Sequence, residues 1–235
     1  MSAWAAKRFW QAASAEPCDG GFTVRLDARP VKTPAKQPLV LPSLAMAQAV
    51  ATEWDAQHGL IKPDTMPLTR AANSAIDKVA PQFDGVVGEI ANYGTTDLLC
   101  YRATDPQPLI DRQAAGWGPL LDWARDALGA PLAVTYGVIP ISQPAASLAR
   151  LRDHVAGHSP FHLAALHDLV AISGSLVLGL AVAHQRLTGD QAFGLSRIDE
   201  KWQSELWGED EDAAALEALR QEAFLTAERF YTLCG

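Results

Sequence analysis

Cysteine is scarce in this 235-residue chain: Cys18, Cys100 and Cys234 are odd in number and form no CxxC pair. Neither a disulfide framework nor a cysteine-based zinc site is expected, and a reducing compartment fits. Basic residues are also in deficit, 19 against 27 acidic, for a net charge of −8. No Lys/Arg cluster supplies the basic face that neutralises phosphates, so nucleic acid is not an expected partner.

Uncharged apolar runs are short. The longest apolar stretch, Leu163 to Ala183, contains His167 and Asp168 and is diluted by Ser173, Gly174, Ser175 and Gly179. Its length alone would allow a membrane span. With no basic flank it reads instead as a helix buried on all sides, so stable membrane insertion is not expected. The segment Met1 to Trp10 has neither the apolar run of a secretory signal nor the Arg/Ser richness of a transit peptide.

Enzyme signatures are missing too. The chain holds no phosphate-cradling GxxxxGK[ST] loop, no GxGxxG after a strand, no GxSxG elbow and no HExxH. The remaining enzyme lead is His154, His158 and His162, four residues apart, with His167 following. On one unbroken helix the first three would share a face, but Gly157 and Pro160 interrupt it. A small hydrolase or metal enzyme built on these histidines is the alternative reading. No cofactor is expected.

The residues present describe a globular chain, 49% hydrophobic. Phe22-Thr-Val-Arg-Leu26 alternates like a half-buried strand after the turn Cys18-Asp-Gly-Gly21. Pro30, Pro34, Pro38 and Pro42 exclude helix there and favour extended chain. Ser43 then reads as the N-cap of a helix through Trp54, with Gly59 closing it. Helices are expected over 69–79, 86–93, 109–128 and 145–156, and from Pro160 to about Leu187. Two more follow over 191–207 and 212–233. The expected class is α+β: a small β-rich N-terminal domain, 1–42, before a larger mainly helical domain, 43–235.

Acidic residues gather at Asp199, Glu200, Glu205, Glu209, Asp210, Glu211 and Asp212. A run of this kind is either a solvated helix end favoured by the helix dipole or a contact patch for a basic partner. Trp54, Trp117, Trp123, Trp202 and Trp207 stand in helical text. Most read as packing residues, and one or two fit a partner interface.

Several phrases occur in a family-specific order: Lys7-Arg-Phe-Trp10, Phe22 to Pro34, Ala51-Thr-Glu-Trp-Asp-Ala-Gln57 and Met66-Pro-Leu-Thr69. Tyr93 to Arg102, Leu195-Ser-Arg-Ile-Asp-Glu200 and Gln203-Ser-Glu-Leu-Trp-Gly208 complete the set. Together they resemble the α-subunit-specific assembly chaperones of the F-type ATP synthase catalytic head. The resemblance implies a soluble, non-enzymatic protein that binds the free α subunit and shields its subunit interface until β subunit displaces it. It implies a bacterial member acting in the cytoplasm, with eukaryotic relatives in the mitochondrial matrix. It matches Trp54, Trp207 and Gly208 to family positions, Trp54 as a packing residue. It also places a functionally important acidic residue at Glu211, or at Glu209 or Asp210, with Glu205 in the same partner-binding set.

Overall fold

The computed structural model describes residues 7–208 and 210–235. The protein is α+β, with its strands concentrated near the N-terminus of a mainly helical chain. Packing resolves two compact units. The first comprises Met1–Phe83, Ser159–Ala165 and Arg229–Gly235; the second comprises Asp84–His158 and Leu166–Glu228. The N-terminal strands thus share a unit with more of the chain than the expected 1–42.

In the first unit, β1 (Ala13–Cys18) and β2 (Gly21–Leu26) form an antiparallel hairpin across a two-residue loop. The short β3 (Arg29–Pro30) lies on the far side of β2. The proline-spaced segment then runs extended, and Phe22 and Leu41 exchange main-chain hydrogen bonds at 3.0 and 2.7 Å. β1 lacks a legible strand pattern because Ala, Glu and Pro have low strand propensity; its pairing with β2 overrides that.

Helix α1 (Leu44–Asp55) begins where expected, with the Ser43 hydroxyl accepting the Met46 N–H at 3.0 Å. Its buried face, Met46, Ala47, Val50 and Ala51, packs with Val24, Leu26, Leu39 and Leu41 of the strand region. Phe230 and Cys234 from the C-terminal end, and Ala165, join the same core. Helix α2 (Pro67–Ser74) runs into a π-helical turn, Ala75–Val79.

Two polar residues lock this unit. The Arg8 guanidinium donates to the carbonyls of Trp10, Gln57 and Gln11 at 3.0, 2.9 and 2.7 Å, and to the Asp55 carboxylate at 3.0 Å. The Glu53 carboxylate accepts the N–H groups of Leu68 and Thr69, at 2.7 and 2.8 Å, and the Thr69 hydroxyl at 2.6 Å. A helix start has unpaired N–H groups, and Glu53 supplies their acceptor from another element.

The second unit holds α3 (Phe83–Asn92, from Asp84), β4 (Tyr101–Arg102), α4 (Gln107–Leu128), β5 (Thr135–Tyr136) and α5 (Ala145–Ala156). β4 and β5 pair in parallel. Gly129 ends α4 in the left-handed conformation, φ 65°. The expected single apolar helix from Pro160 is two helices, α6 (Pro160–Ser173) and α7 (Leu176–Ala183). Gly174, at φ 72°, turns the chain between them. Buried Asp97 stabilises the restart, accepting from the Ser175 hydroxyl at 2.7 Å and from the Val177 and Leu99 N–H groups at 3.0 Å each. Burial pushes its carboxyl above the ordinary carboxylate pKa, against the lowering effect of these bonds. No described helix is long and apolar enough to cross a membrane.

The expected helix over 191–207 is likewise divided, into α8 (Gly189–Ser196) and α9 (Ile198–Trp207). The last helix, α10 (Glu211–Leu233), reaches nearly to the C-terminus.

Candidate partner-binding surface

The α9 phrase is anchored before its surface is presented. Asp199 accepts from the Gln113 side chain at 2.6 Å, and the Gln113 amide oxygen accepts the Ala103 N–H at 2.8 Å. Arg102 donates to the Gln113 carbonyl at 2.6 Å and stacks 5.2 Å from the centre of the Trp117 ring. The Trp117 indole N–H donates to the Leu195 carbonyl at 2.8 Å. Phrases about a hundred positions apart in the chain are thereby fixed on one another within this unit.

Further along α9, Glu205 meets Arg112 through two parallel bonds of 2.9 Å, and the guanidinium lies 5.0 Å from the Trp202 ring. Arg112 holds the Glu205 carboxyl below its ordinary pKa. Of the expected acidic contact residues, Glu205 is therefore already engaged within its own unit. Leu206 and Trp207 follow, and Trp207 is 79% exposed. Gly208 closes the helix at φ 91° and ψ 162°, a conformation nearly restricted to glycine.

Asp210 acts locally, its carboxylate accepting the Ala213 N–H at 2.9 Å, the bond of a helix cap. Glu211 and Asp212 occupy the first turn of α10, exposed, where carboxylates complement the positive end of the helix dipole. Glu209 lies outside the described residues.

From Glu211 to Arg220, α10 has no buried residue. Leu216 and Leu219, three apart and so neighbours on the helix surface, are 50% and 63% exposed. Beyond them the helix is held in place. The Gln221 side chain donates to Asp190 at 3.1 Å, and Phe224 packs on Phe193 at 5.8 Å. The Glu228 carboxylate accepts the Gly189 N–H at 2.6 Å, at the start of α8. Most helix stability in a folded chain comes from burying one face. Three turns with exposed leucines and no buried residue therefore present a surface suited to a partner.

The sequence marks 212–233 as helix, and nothing in it singles out Leu216 or Leu219. Periodicity marks a face as apolar without saying whether this chain covers it. A second exposed apolar segment, Tyr136, Val138 and Ile139, lies beside β5.

The other expected residues lie elsewhere. Trp54 belongs to the first unit, half-buried, edge-on to Trp10 at 5.4 Å. Its indole nitrogen and that of Trp10 find no acceptor among the described residues. His154 lies 6.0 Å from His184, ring to ring, with Nε2 3.2 Å from the Leu128 carbonyl. His158 Nδ1 faces the His154 carbonyl at 2.9 Å, and His162 Nδ1 contacts the Ser159 hydroxyl at 2.9 Å. Among the described residues no group of three or more histidine, cysteine or carboxylate side chains could hold a metal.

A family model described as ATP12 chaperone protein matches residues 7–125. The chain is 53% identical to Atp12 of Paracoccus denitrificans, whose crystal structure superposes with a TM-score of 0.95 over 98% of this chain and 99% of that one. An aspartate-to-lysine mutant of the same bacterial protein is 52% identical and superposes equally well, TM-score 0.95, over 98% of both chains. The mitochondrial protein atp12 of Schizosaccharomyces pombe is 25% identical over 224 residues, covering 88% of this chain and 75% of its own length.

Proposed function

Because this chain belongs to the ATP12 chaperone family, we propose that it is an assembly chaperone of the F-type ATP synthase catalytic head that holds the free α subunit. It shields the α surface meant for a neighbouring subunit, until β subunit displaces it. Unassembled subunits expose apolar interface and unpaired edges, which aggregate unless covered. Holding and release need affinity and no bond chemistry, so the protein is not an enzyme in this reading. It works in the bacterial cytoplasm, while eukaryotic relatives work in the mitochondrial matrix.

The observation that carries the reading is the uncovered half of α10, with Leu216 and Leu219 exposed, together with exposed Trp207 at the end of α9. Tryptophan anchors are enriched at binding hot spots, and exposed leucines extend the apolar contact. Glu211 and Asp212 give this surface a negative rim that steers a basic client face and disfavours acidic ones.

Co-expression of the tagged protein with α subunit, and separately with β subunit, tests the reading. Soluble α should co-purify, β should not, and adding β should release α. Recovery of neither subunit by well-folded protein would reject it. Replacing Trp207 and Leu219 together by serine should lower recovery of α at least tenfold without altering the melting temperature, since hot-spot truncations cost about 2 kcal/mol or more.

A further inference from the structure

The main-chain bonding of β2 determines which groups of β1 are left over. Phe22 directs both its N–H and its carbonyl at Leu41, away from β1, although its register partner on β1 is Pro17. Val24, the register partner of Ala15, likewise turns its carbonyl away, accepting the Val31 N–H at 2.9 Å. Antiparallel pairs alternate between bonded and unbonded, so Ser14 and Glu16 bond to β2. Ala13, Ala15 and Pro17 therefore turn their main-chain groups to the outer edge of the sheet. No described residue pairs with that edge. Pro17 has no N–H to offer and blunts one end of it. Among the described residues the donors and acceptors of Ala13 and Ala15 remain open.

Beside this edge lies a groove of about 490 Å³ lined by Ala13 and Ala15 of β1 and by Gln48, Ala51, Thr52 and Asp55 of α1. Its walls mix the methyl groups of Ala13, Ala15 and Ala51 with the polar side chains of Gln48, Thr52 and Asp55, leaving room for side chains of valine size. Asp55 has a half-exposed carboxylate, bonded on one side to Arg8. We infer that the open edge of β1 and its alanine-lined groove form a second client site, which takes an extended segment of the client as an added strand. Only an extended backbone matches donors and acceptors spaced two residues apart along a strand. Alternate side chains of the segment would enter the groove, with small β-branched residues fitting its depth. A basic residue at one end would meet Asp55, in keeping with the net charge of −8.

The inference rests on the chaperone reading for the identity of the client, but it is tested without one. The probe is a capped hexapeptide of alternating valine and threonine ending in lysine, and the readout is amide hydrogen exchange by NMR. At saturating peptide, exchange at Ala13 and Ala15 should slow about tenfold or more, as for amides newly drawn into a ladder, while Ser14 and Glu16 stay unchanged. The same peptide methylated on alternate backbone nitrogens should not bind. Ala15→Pro, which removes one outward N–H, and Thr52→Trp, which fills the groove from an exposed position, should each abolish the protection. Pro17 already shows that the strand accommodates proline at an outward position. Ala13 and Ala15 amides already protected in the free protein, no slowing with peptide, or slowing shared equally with Ser14 and Glu16 would overturn the inference. Capture of α subunit by the folded variants runs in parallel. Full capture of α subunit by Ala15→Pro and Thr52→Trp would remove the strand edge from client binding and leave the chaperone reading standing.

Discussion

Asp97 and Ser175, 78 positions apart in sequence, meet at 2.7 Å in the interior of the second unit. The contact places a carboxylate where α7 must restart after α6 has ended, and it links the Tyr93 to Arg102 phrase to the most buried helix of the unit. Asp97→Ala would leave the Ser175 hydroxyl and the Val177 and Leu99 N–H groups unpaired. Unpaired buried donors cost about 1–3 kcal/mol each, so urea denaturation should show a loss on the order of 3 kcal/mol or more.

The same carboxylate gives a signed pH effect. Burial raises its pKa above the ordinary 3.8, so the native state binds this proton more tightly than the unfolded chain does. Its contribution to stability is therefore greatest below 3.8 and falls as pH rises toward the raised value. Asp97→Asn should flatten the pH dependence of the urea midpoint in that window. An unchanged slope would show that Asp97 titrates normally.

Histidines act in the opposite direction. Burial lowers the pKa of both His158 and His184, with nearby histidine charge adding to the effect. Their neutral forms are favoured in the native state, so stability is retained above the ordinary value of 6.5 and lost as pH falls below it. His167, raised by its bond to Asp168, opposes this loss on acidification. Melting temperature should fall between pH 7 and pH 5, and His184→Gln should reduce the fall.

Trp54→Ala should lower stability by about 3 kcal/mol, the lower end for removing a buried tryptophan because this one is half-buried. Trp54→Phe should recover most of that loss, since the indole N–H has no acceptor to forfeit among the described residues. Both are read by thermal melting, and an Ala variant that melts like the parent would place Trp54 outside the core.

Glu211→Lys should weaken capture of α subunit while shifting stability by only about 0.3–1 kcal/mol, the worth of a charge at an exposed helix start. Unchanged capture at low salt would remove Glu211 from the contact surface.

The sequence was most legible where structure follows from local chemistry. Ser43 caps α1, Gly129 ends α4 and Pro160 begins α6, each readable from residue type and position. Breaks inside apolar text were not legible. Ser173-Gly-Ser175 reads as dilution of a long helix, because the carboxylate that stabilises the break arrives from Asp97, far away in sequence. Arg197 between α8 and α9 gives no breaker signal at all. The acidic cluster was visible, but its division into a cap at Asp210, an ion pair at Glu205 and exposed carboxylates at Glu211 and Asp212 depends on neighbours in space. The family phrases contain residues, Arg8, Glu53 and Asp97, whose polar bonds join separate elements. Most of the ordered phrases therefore point to the family without pointing to its contact surface; Gln203 to Gly208, with exposed Trp207, is the exception.

The bare first turns of α10 also bear on how the protein would be emptied. Leu216 and Leu219 are not sheltered by their own chain, so the helix has nothing to re-cover when a client leaves. No internal refolding step then stands between one passenger and the next. Turnover would be set by how fast an incoming subunit strips the passenger away, and the vacated protein would be ready again at once.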